Sequence, residues 1–263
     1  MRRRDAATHR VRYGTWIRPR RIALFWGLAV VFAGLSALSA LSPWFLLSLA
    51  PATLLGYIAV VITWTHLRLS SAGGGYQSRI HELLLTHLPE TSEVLDVGCG
   101  NGSLILKVAK RYPEARCVGM DHWGSNWEYS LHQCQVNARE EGVPNATFLP
   151  GNAARISLAD NSFGAVLSCL TFHEVQQEPD KTKVMQEALR VLRPGGRFIF
   201  MDLFDDSRSF PPHRALLEAI GGANCRVETD EPLASLMPLP YPLNTGKALR
   251  YARVLAGTKN GGA

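Results

Sequence analysis

The stretch of sequence that decides the fold reads Val94-Leu95-Asp96-Val97-Gly98-Cys99-Gly100-Asn101-Gly102. Its apolar first part, with one acidic residue, predicts a buried strand, and the residues after it, 103–111, predict a helix. The glycines between them predict a tight turn, because a residue without a Cβ lets backbone amides approach a ligand closely. The amino end of the helix adds partial positive charge at the same place. We therefore expect a ligand to bind where this strand ends.

The turn differs from the dinucleotide fingerprint G-x-G-x-x-G. The third glycine falls one position early, at Gly102, and Ser103 stands where the fingerprint needs glycine. Asp96 precedes the turn, and a carboxylate there suits a ligand with an ammonium group better than a pyrophosphate. The pattern therefore disfavours a nicotinamide-dependent dehydrogenase.

Outward from this turn, the chain alternates between strand and helix patterns. This alternation predicts an α/β domain with a mainly parallel sheet and helices on both faces. Residues 229–246, rich in proline and apolar residues without periodicity, are expected to form an ordered loop over a site. The predicted helices are 76–88, 103–111, 126–141, 181–192 and 211–220, and the predicted strands are 93–97, 115–120, 147–149, 163–169, 197–201 and 248–255.

The segment Asp-Val-Gly-Cys-Gly-Asn-Gly at 96–102 resembles motif I of the class I S-adenosylmethionine-dependent methyltransferases. The resemblance covers about residues 76–203 and includes Leu-Arg-Val-Leu-Arg-Pro-Gly-Gly at 189–196. It implies a Rossmann-like fold, S-adenosyl-L-methionine as cofactor, and methyl transfer to a small-molecule acceptor. The resemblance implies that Asp96 lies near the amino-acid end of the cofactor. It also implies that the turn contacts the cofactor through Gly98, Cys99, Gly100 and Gly102.

The same resemblance assigns the remaining cofactor-binding residues. Asp121, which ends the second predicted strand, is expected to accept hydrogen bonds from the ribose hydroxyls. The adenine is expected beside His122 and Trp123. The pair Asn152-Ala153 stands where the family has Asp-Ala, so the Asn152 amide oxygen replaces a carboxylate facing the adenine amino group. Two further expected contacts are Tyr76, covering the cofactor from the N-terminal side, and Cys169.

The fourth predicted strand runs into Thr171-Phe172-His173-Glu174. In the family this strand end lines the space between cofactor and acceptor, which makes His173 a candidate general base and Glu174 a second candidate. Alternatively, either residue caps the following structure. No metal site is expected, because the five cysteines, at 99, 117, 134, 169 and 225, show no C-x-x-C and no zinc spacing.

The N-terminal third of the sequence predicts a membrane anchor. Residues 22–67 contain no Asp, Glu, Lys or Arg, which is enough for two spans of about 20 residues each. We expect the spans at 22–41 and 44–65, a turn at Ser42-Pro43, and a kink at Pro51. Residues 68–75 then form a flexible linker to a methyltransferase domain at 76–263. A buried helical hairpin of a soluble protein and a cleaved signal peptide are the alternatives.

Charge placement predicts the topology and limits the partners. Residues 1–21 hold eight of the arginines and one Asp, whereas the whole chain carries a net charge of +6. This basic head and the domain at 76–263 are therefore both expected in the cytoplasm, with residues 1–67 contacting membrane lipid. The rest of the chain is nearly neutral, so no nucleic-acid partner is expected. The anchor favours a lipid-soluble acceptor; a soluble acceptor and a non-catalytic cofactor-binding scaffold remain alternatives.

Overall fold

A computed structural model describes residues 11–124 and 128–261. The described chain divides into two compact units, one made of 11–13, 80–239 and 244–261 and the other of 14–79 and 240–243. Residues 1–10 of the basic head and the expected helix start at Asn126 lie outside the described residues.

The first unit is built on one mixed sheet of seven strands in the order β3-β2-β1-β4-β5-β7-β6. The strands β1 to β5 pair in parallel, whereas β7 pairs antiparallel with both β5 and β6. This is the class I methyltransferase fold, with the carboxyl ends of β1, β2 and β4 at one edge. The strands are β1 Glu93–Val97, β2 Arg116–Asp121, β3 Ala146–Pro150, β4 Phe163–Cys169, β5 Leu192–Asp202, β6 Cys225–Pro232 and β7 Arg253–Lys259.

The C-terminal part of the sheet differs from the sequence prediction. Strand β6 was not expected, because it lies at the sheet edge and carries charged residues such as Arg226, Glu228 and Asp230, which are typical of exposed edges. Strand β7 begins five residues later than predicted, and β5 begins at Leu192 instead of Arg197. Residues 229–246 are accordingly a strand end, a short helix and a loop rather than one long loop.

The helices mostly begin where the sequence predicts. An exception is α5, which begins at Leu131 because the Ser130 hydroxyl accepts a hydrogen bond from the Gln133 amide at 3.1 Å and caps the helix there. The helices are α1 Pro19–Ala37, α2 Leu49–Leu69, α3 Tyr76–Leu85, α4 Ser103–Arg111, α5 Leu131–Glu140, α6 Lys181–Arg190, α7 His213–Gly222 and α8 Leu233–Leu236.

The second unit contains two helices, α1 and α2, that are long and apolar enough to cross a membrane. The Trp26 indole donates a hydrogen bond to the Thr63 hydroxyl at 3.1 Å, and the small residues Ala29 and Ala59 are buried. The chain turns at Ser42-Pro43 between two 3-10 segments. Pro51 lies in the first turn of α2, where a proline is tolerated, so it requires no kink.

The segment expected to be a flexible linker contains a hydrogen-bonded turn. Residues Ser71–Gly73 form a 3-10 helix, and the Gly75 amide donates to the Ser70 carbonyl at 2.8 Å. A Cβ on Gly73 would lie 2.0 Å from the Leu67 carbonyl oxygen, so the close packing of this turn requires glycine.

Candidate active site

The glycine turn after β1 is held against the end of β2. The Gly98 and Cys99 amides both donate to the Met120 carbonyl, at 2.7 and 3.1 Å. Gly98, Gly100 and Gly102 have φ of +81°, +58° and +81°, a region that favours glycine. A Cβ on Gly98 would lie 2.0 Å from the Thr171 hydroxyl. Glycine is therefore needed there for the approach of the β4 end, in addition to any ligand contact.

Asp96, at the carboxyl end of β1, is a buried carboxyl group with an unsatisfied oxygen. It is 1% exposed, and among residues 11–124 and 128–261 its Oδ2 atom has no hydrogen-bond partner. Burial, together with the negative charge of Asp121, raises the pKa of Asp96 to about 8. A cationic group beside it would lower that pKa and satisfy the oxygen, so the chemistry of this carboxyl group suits a ligand that carries an ammonium group.

Asp121, at the end of β2, fixes the turn as well as facing the site. Its Oδ2 accepts from the Gly100 amide at 2.8 Å and its Oδ1 accepts from the Trp123 amide at 2.9 Å. Burial raises the pKa of Asp121, and these amide bonds oppose the rise. The Trp123 indole donates to the Gly100 carbonyl at 2.8 Å. His122, which precedes it, is exposed. The His122 amide is a third donor to the Asp121 carboxylate, whose two oxygens have about four lone-pair sites and so can accept one further donor.

The structure also shows the surroundings of the other four residues that we expect to contact the cofactor. Asn152 lies just beyond β3, and its Oδ1 already accepts from the Ala154 amide at 2.9 Å, which leaves one lone pair for an adenine amino group. Ala153 packs against the core. The Cys99 side chain is buried, so its backbone is what faces the turn. Burial also raises the pKa of the Cys169 thiol well above its usual range, which keeps it protonated.

His173 lies after β4 and is paired with Asp202, the last residue of β5. Nδ1 of His173 is 2.5 Å from Oδ1 of Asp202, a fully buried carboxylate that also accepts from the Phe172 and Leu203 amides, both at 2.7 Å. Burial alone lowers the pKa of His173, but the charge and hydrogen bond of Asp202, with help from Glu174, raise it to about 10. At neutral pH the ring is therefore an imidazolium.

The last two predicted site residues are Glu174, the second candidate base, and Tyr76, an expected cofactor contact. Glu174 is 41% exposed, and its Oε1 lies 3.6 Å from Nε2 of His173, so it is a weak outer partner of the ring. Tyr76 belongs to the unit that contains the apolar helices, where the Arg79 guanidinium lies 4.6 Å from the centre of its ring. Its expected contact with the cofactor stays a prediction.

Sequence reasoning missed two polar residues of the site, Asp202 and Asn137. The signal for Asp202 was available, because it ends the strand after β4 and the carboxyl ends of parallel neighbours share an edge. Asn137 lies on α5 and donates to the Asn101 carbonyl inside the glycine turn at 2.9 Å. An asparagine on a helix carries no signal of that contact.

Comparison with known proteins shows what the first unit resembles. Residues 94–196 match a family described as a methyltransferase domain. A sterol 24-C-methyltransferase from Aspergillus fumigatus is 32% identical over 176 residues, covering 62% of this chain and 44% of that protein. A ubiquinone/menaquinone biosynthesis C-methyltransferase from Dinoroseobacter shibae is 32% identical over 109 residues, 41% of each protein. The chain thus spans less than half of either relative.

The fold agrees with this domain. The crystal structure of geranyl diphosphate C-methyltransferase from Streptomyces coelicolor superposes with a TM-score of 0.56 at 15% identity, covering 72% of this chain and 78% of that one. The residues also fit S-adenosylmethionine, the cofactor implied by the motif resemblance. Asp96 offers a buried oxygen, unpartnered among the described residues, for its ammonium group, and the positive-φ glycines leave the turn without Cβ atoms at three positions.

Proposed function

We propose that the chain is a membrane-bound methyltransferase that uses S-adenosyl-L-methionine to methylate a small, lipid-soluble acceptor. The observation that carries the cofactor assignment is the buried, unpartnered carboxylate of Asp96 beside the glycine turn of a methyltransferase domain. The observation that favours a lipid-soluble acceptor is the pair of apolar helices in the same chain.

When bound, S-adenosylmethionine supplies a methyl group already activated by its sulfonium. The Asp96 carboxylate would hold the ammonium group, Asp121 would accept from the ribose hydroxyls, and the Asn152 oxygen would accept from the adenine amino group. The chain's main task is then to align the acceptor with the methyl group and exclude water, which can lower the barrier by roughly 7–11 kcal/mol. His173 follows β4, two residues after Thr171, which packs against Gly98 of the glycine turn. We propose that the His173 side chain interacts with the methyl acceptor.

The His173–Asp202 pair determines what proton chemistry this site offers. With a pKa of about 10, His173 is an imidazolium at pH 7 and can donate a hydrogen bond through Nε2 to an acceptor oxygen. It becomes a general base only as the pH approaches 10. Asp202 acts through His173, so it is a positioning residue.

The apolar helices support a membrane location for the enzyme. Their side chains are largely exposed, including Val30 at 66%, Val31 at 57% and Leu54 at 60%, as expected for lipid-facing residues and unlike the core of a soluble protein. The charge-free sequence and the basic residues before it support a cytoplasmic location for the N-terminus and the methyltransferase domain.

A segment of the C-terminal loop supports access from the bilayer. Residues 240–243 belong to the unit of the apolar helices, although the chain on both sides of them belongs to the methyltransferase unit. The Tyr241 hydroxyl lies 3.3 Å from that of Tyr57, and its ring packs edge-on against Trp64 at 5.4 Å. The names of the sterol and quinone relatives cited above fit an acceptor of this solubility.

The test is methyl transfer by the full-length chain in nanodiscs. The protein is incubated with methyl-labelled S-adenosylmethionine and a total cell extract, which is then partitioned between organic solvent and water, with Asp96→Ala as the blank. Label in the organic phase is the expected result. Label confined to water would assign a soluble acceptor. Cofactor binding without label in either phase would contradict the proposal and favour the scaffold.

Membrane topology is tested separately by labelling. A Ser42→Cys variant in intact cells is expected to react with an impermeant maleimide from outside, because residue 42 lies between the two helices. An Asn260→Cys variant, at the end of the methyltransferase unit, is expected to react only after lysis. Because Cys99, Cys117, Cys134 and Cys225 are buried, the unmodified chain serves as the background control. Reaction of Asn260→Cys in intact cells would contradict the proposed orientation.

A further inference from the structure

The short segment before the apolar helices contributes to the methyltransferase unit. Residues 11–13, which we call the arm, belong to that unit, whereas the chain from Gly14 to Arg79 belongs to the other. The arm is held through its backbone, and the Arg12 side chain is exposed. The basic head is therefore not uniformly available to lipid headgroups.

A buried asparagine on α5 joins the arm to the glycine turn. Asn137 is 0% exposed. Its Nδ2 donates to the Arg12 carbonyl and to the Asn101 carbonyl, both at 2.9 Å, and its Oδ1 accepts from the Arg12 amide at 2.9 Å. The Gln133 side chain fills the remaining lone pair of Oδ1 at 2.9 Å. The Asn137 amide is thus fully satisfied only when the arm is docked.

A second asparagine makes the same connection from inside the turn. Asn101 is 7% exposed, and its Nδ2 donates to the Tyr13 carbonyl at 3.3 Å while its Oδ1 accepts from the Ser130 amide at 3.2 Å. The Tyr13 hydroxyl donates to the carboxylate of Glu141, the residue that follows α5. The carbonyl of Asn101 is therefore held by a side chain that contacts the arm, and its side-chain Nδ2 is held by the arm itself.

We propose that the arm is part of the cofactor-binding machinery: its backbone docks on Asn137 and Asn101 and fixes the glycine turn in the conformation that binds S-adenosylmethionine. Asn137 and Asn101 are positioning residues, since they act through the turn. Undocking leaves the buried Asn137 amide short of two partners, which costs free energy and loosens the Asn101 carbonyl. Because coupling is reciprocal, cofactor binding must stabilise the docked arm by the same factor.

The first test compares two substitutions at residue 12 in the full-length chain. Arg12→Pro removes the amide that donates to Asn137, whereas the matched control Arg12→Ala keeps that amide and removes only the exposed side chain. We expect Arg12→Pro to raise the Kd for S-adenosylhomocysteine about tenfold, the scale of one lost hydrogen bond to a buried group. Arg12→Ala keeps both backbone contacts to Asn137 and is expected to raise the Kd far less than Arg12→Pro does. Equal Kd values for the two variants would overturn the proposal.

The second test uses the unmodified chain, so it does not depend on a variant that folds. Hydrogen exchange of the peptide that contains residues 11–13 is measured with and without saturating S-adenosylhomocysteine, with the α7 peptide reporting any global stabilisation. We expect exchange in the arm to slow on binding by more than exchange in α7 does. Unchanged exchange in the arm would show that it is merely structural and would overturn the coupling.

Discussion

The pair formed by His173 and Asp202 can be tested by the single substitution Asp202→Asn. The side chain keeps its size and an oxygen that can accept from the Phe172 amide, but it loses the negative charge beside Nδ1 of His173. In the wild type the rise of the His173 pKa from 6.5 to about 10 corresponds to about 5 kcal/mol favouring the imidazolium. Most of that free energy depends on the carboxylate charge.

In the Asp202→Asn variant we expect the pKa of His173 to fall below 6.5, because burial lowers it and only the exposed Glu174 still opposes burial. Since the folded-state pKa of wild-type His173 exceeds the unfolded value, the pair stabilises the fold fully below pH 6.5. That stabilisation disappears as the pH rises through 10. The loss of unfolding free energy in the variant should therefore be large at pH 6 and small near pH 10.

The assay is an NMR titration of labelled histidine, combined with denaturant unfolding at pH 6 and pH 9.5. Asp160→Asn is the matched control, because Asp160 is 68% exposed and pairs with Arg190; it should cost well under 1 kcal/mol. A wild-type His173 that titrates near 6.5, or equal His173 pKa values in wild type and Asp202→Asn, would refute the reasoning.

Two further predictions concern the glycine turn and its acidic neighbour. The Kd for S-adenosylmethionine should rise as the pH falls from 8 to 6, because protonation of Asp96, with a pKa of about 8, competes with binding of the ammonium group. Calorimetric titration should show this pH dependence in the wild type and its loss in Asp96→Asn. A pH dependence that persists in the variant would show that another group causes it. Gly98→Ala should destabilise the fold by about 2–4 kcal/mol, since it combines a positive φ with overlap on Thr171. Gly142→Ala, with the same sign of φ but nothing within 4 Å, should cost only about 1 kcal/mol in denaturant unfolding; equal losses would contradict the steric argument.

The sequence predicted the parts of this fold that local pattern determines. Strand β1 and helix α4 have the predicted bounds, because an apolar run, three glycines and an amphipathic helix are contiguous in the chain. Strand β6 was missed because its polar residues suit an edge rather than a core. The end of α5 was nearly correct, but its start depends on one capping hydroxyl, that of Ser130.

The polar contacts of the site depend on register, which local sequence does not reveal. Asp202 reaches His173 because β4 and β5 pair with Cys169 opposite Met201, which brings the residues that follow to one edge. Likewise, Asn137 and Arg12 are separated by 125 positions in the chain. The sequence could therefore predict a histidine of possible catalytic use, but neither its charge state nor the residue that sets it.

The charge state of His173 limits the acceptors that this site suits at neutral pH. An imidazolium cannot take a proton from a hydroxyl nucleophile, so a neutral hydroxyl acceptor should be methylated faster as the pH rises toward 10. An acceptor that attacks through an electron-rich carbon or an oxygen that is already ionised needs no base for the attack itself. Asp202→Asn distinguishes the two, because it leaves His173 neutral at pH 7. Under saturating cofactor, the variant should gain activity at pH 7 on a hydroxyl acceptor and lose or keep it on a carbon or anionic acceptor. If the pH profiles of the two proteins coincide, His173 takes no part in proton transfer.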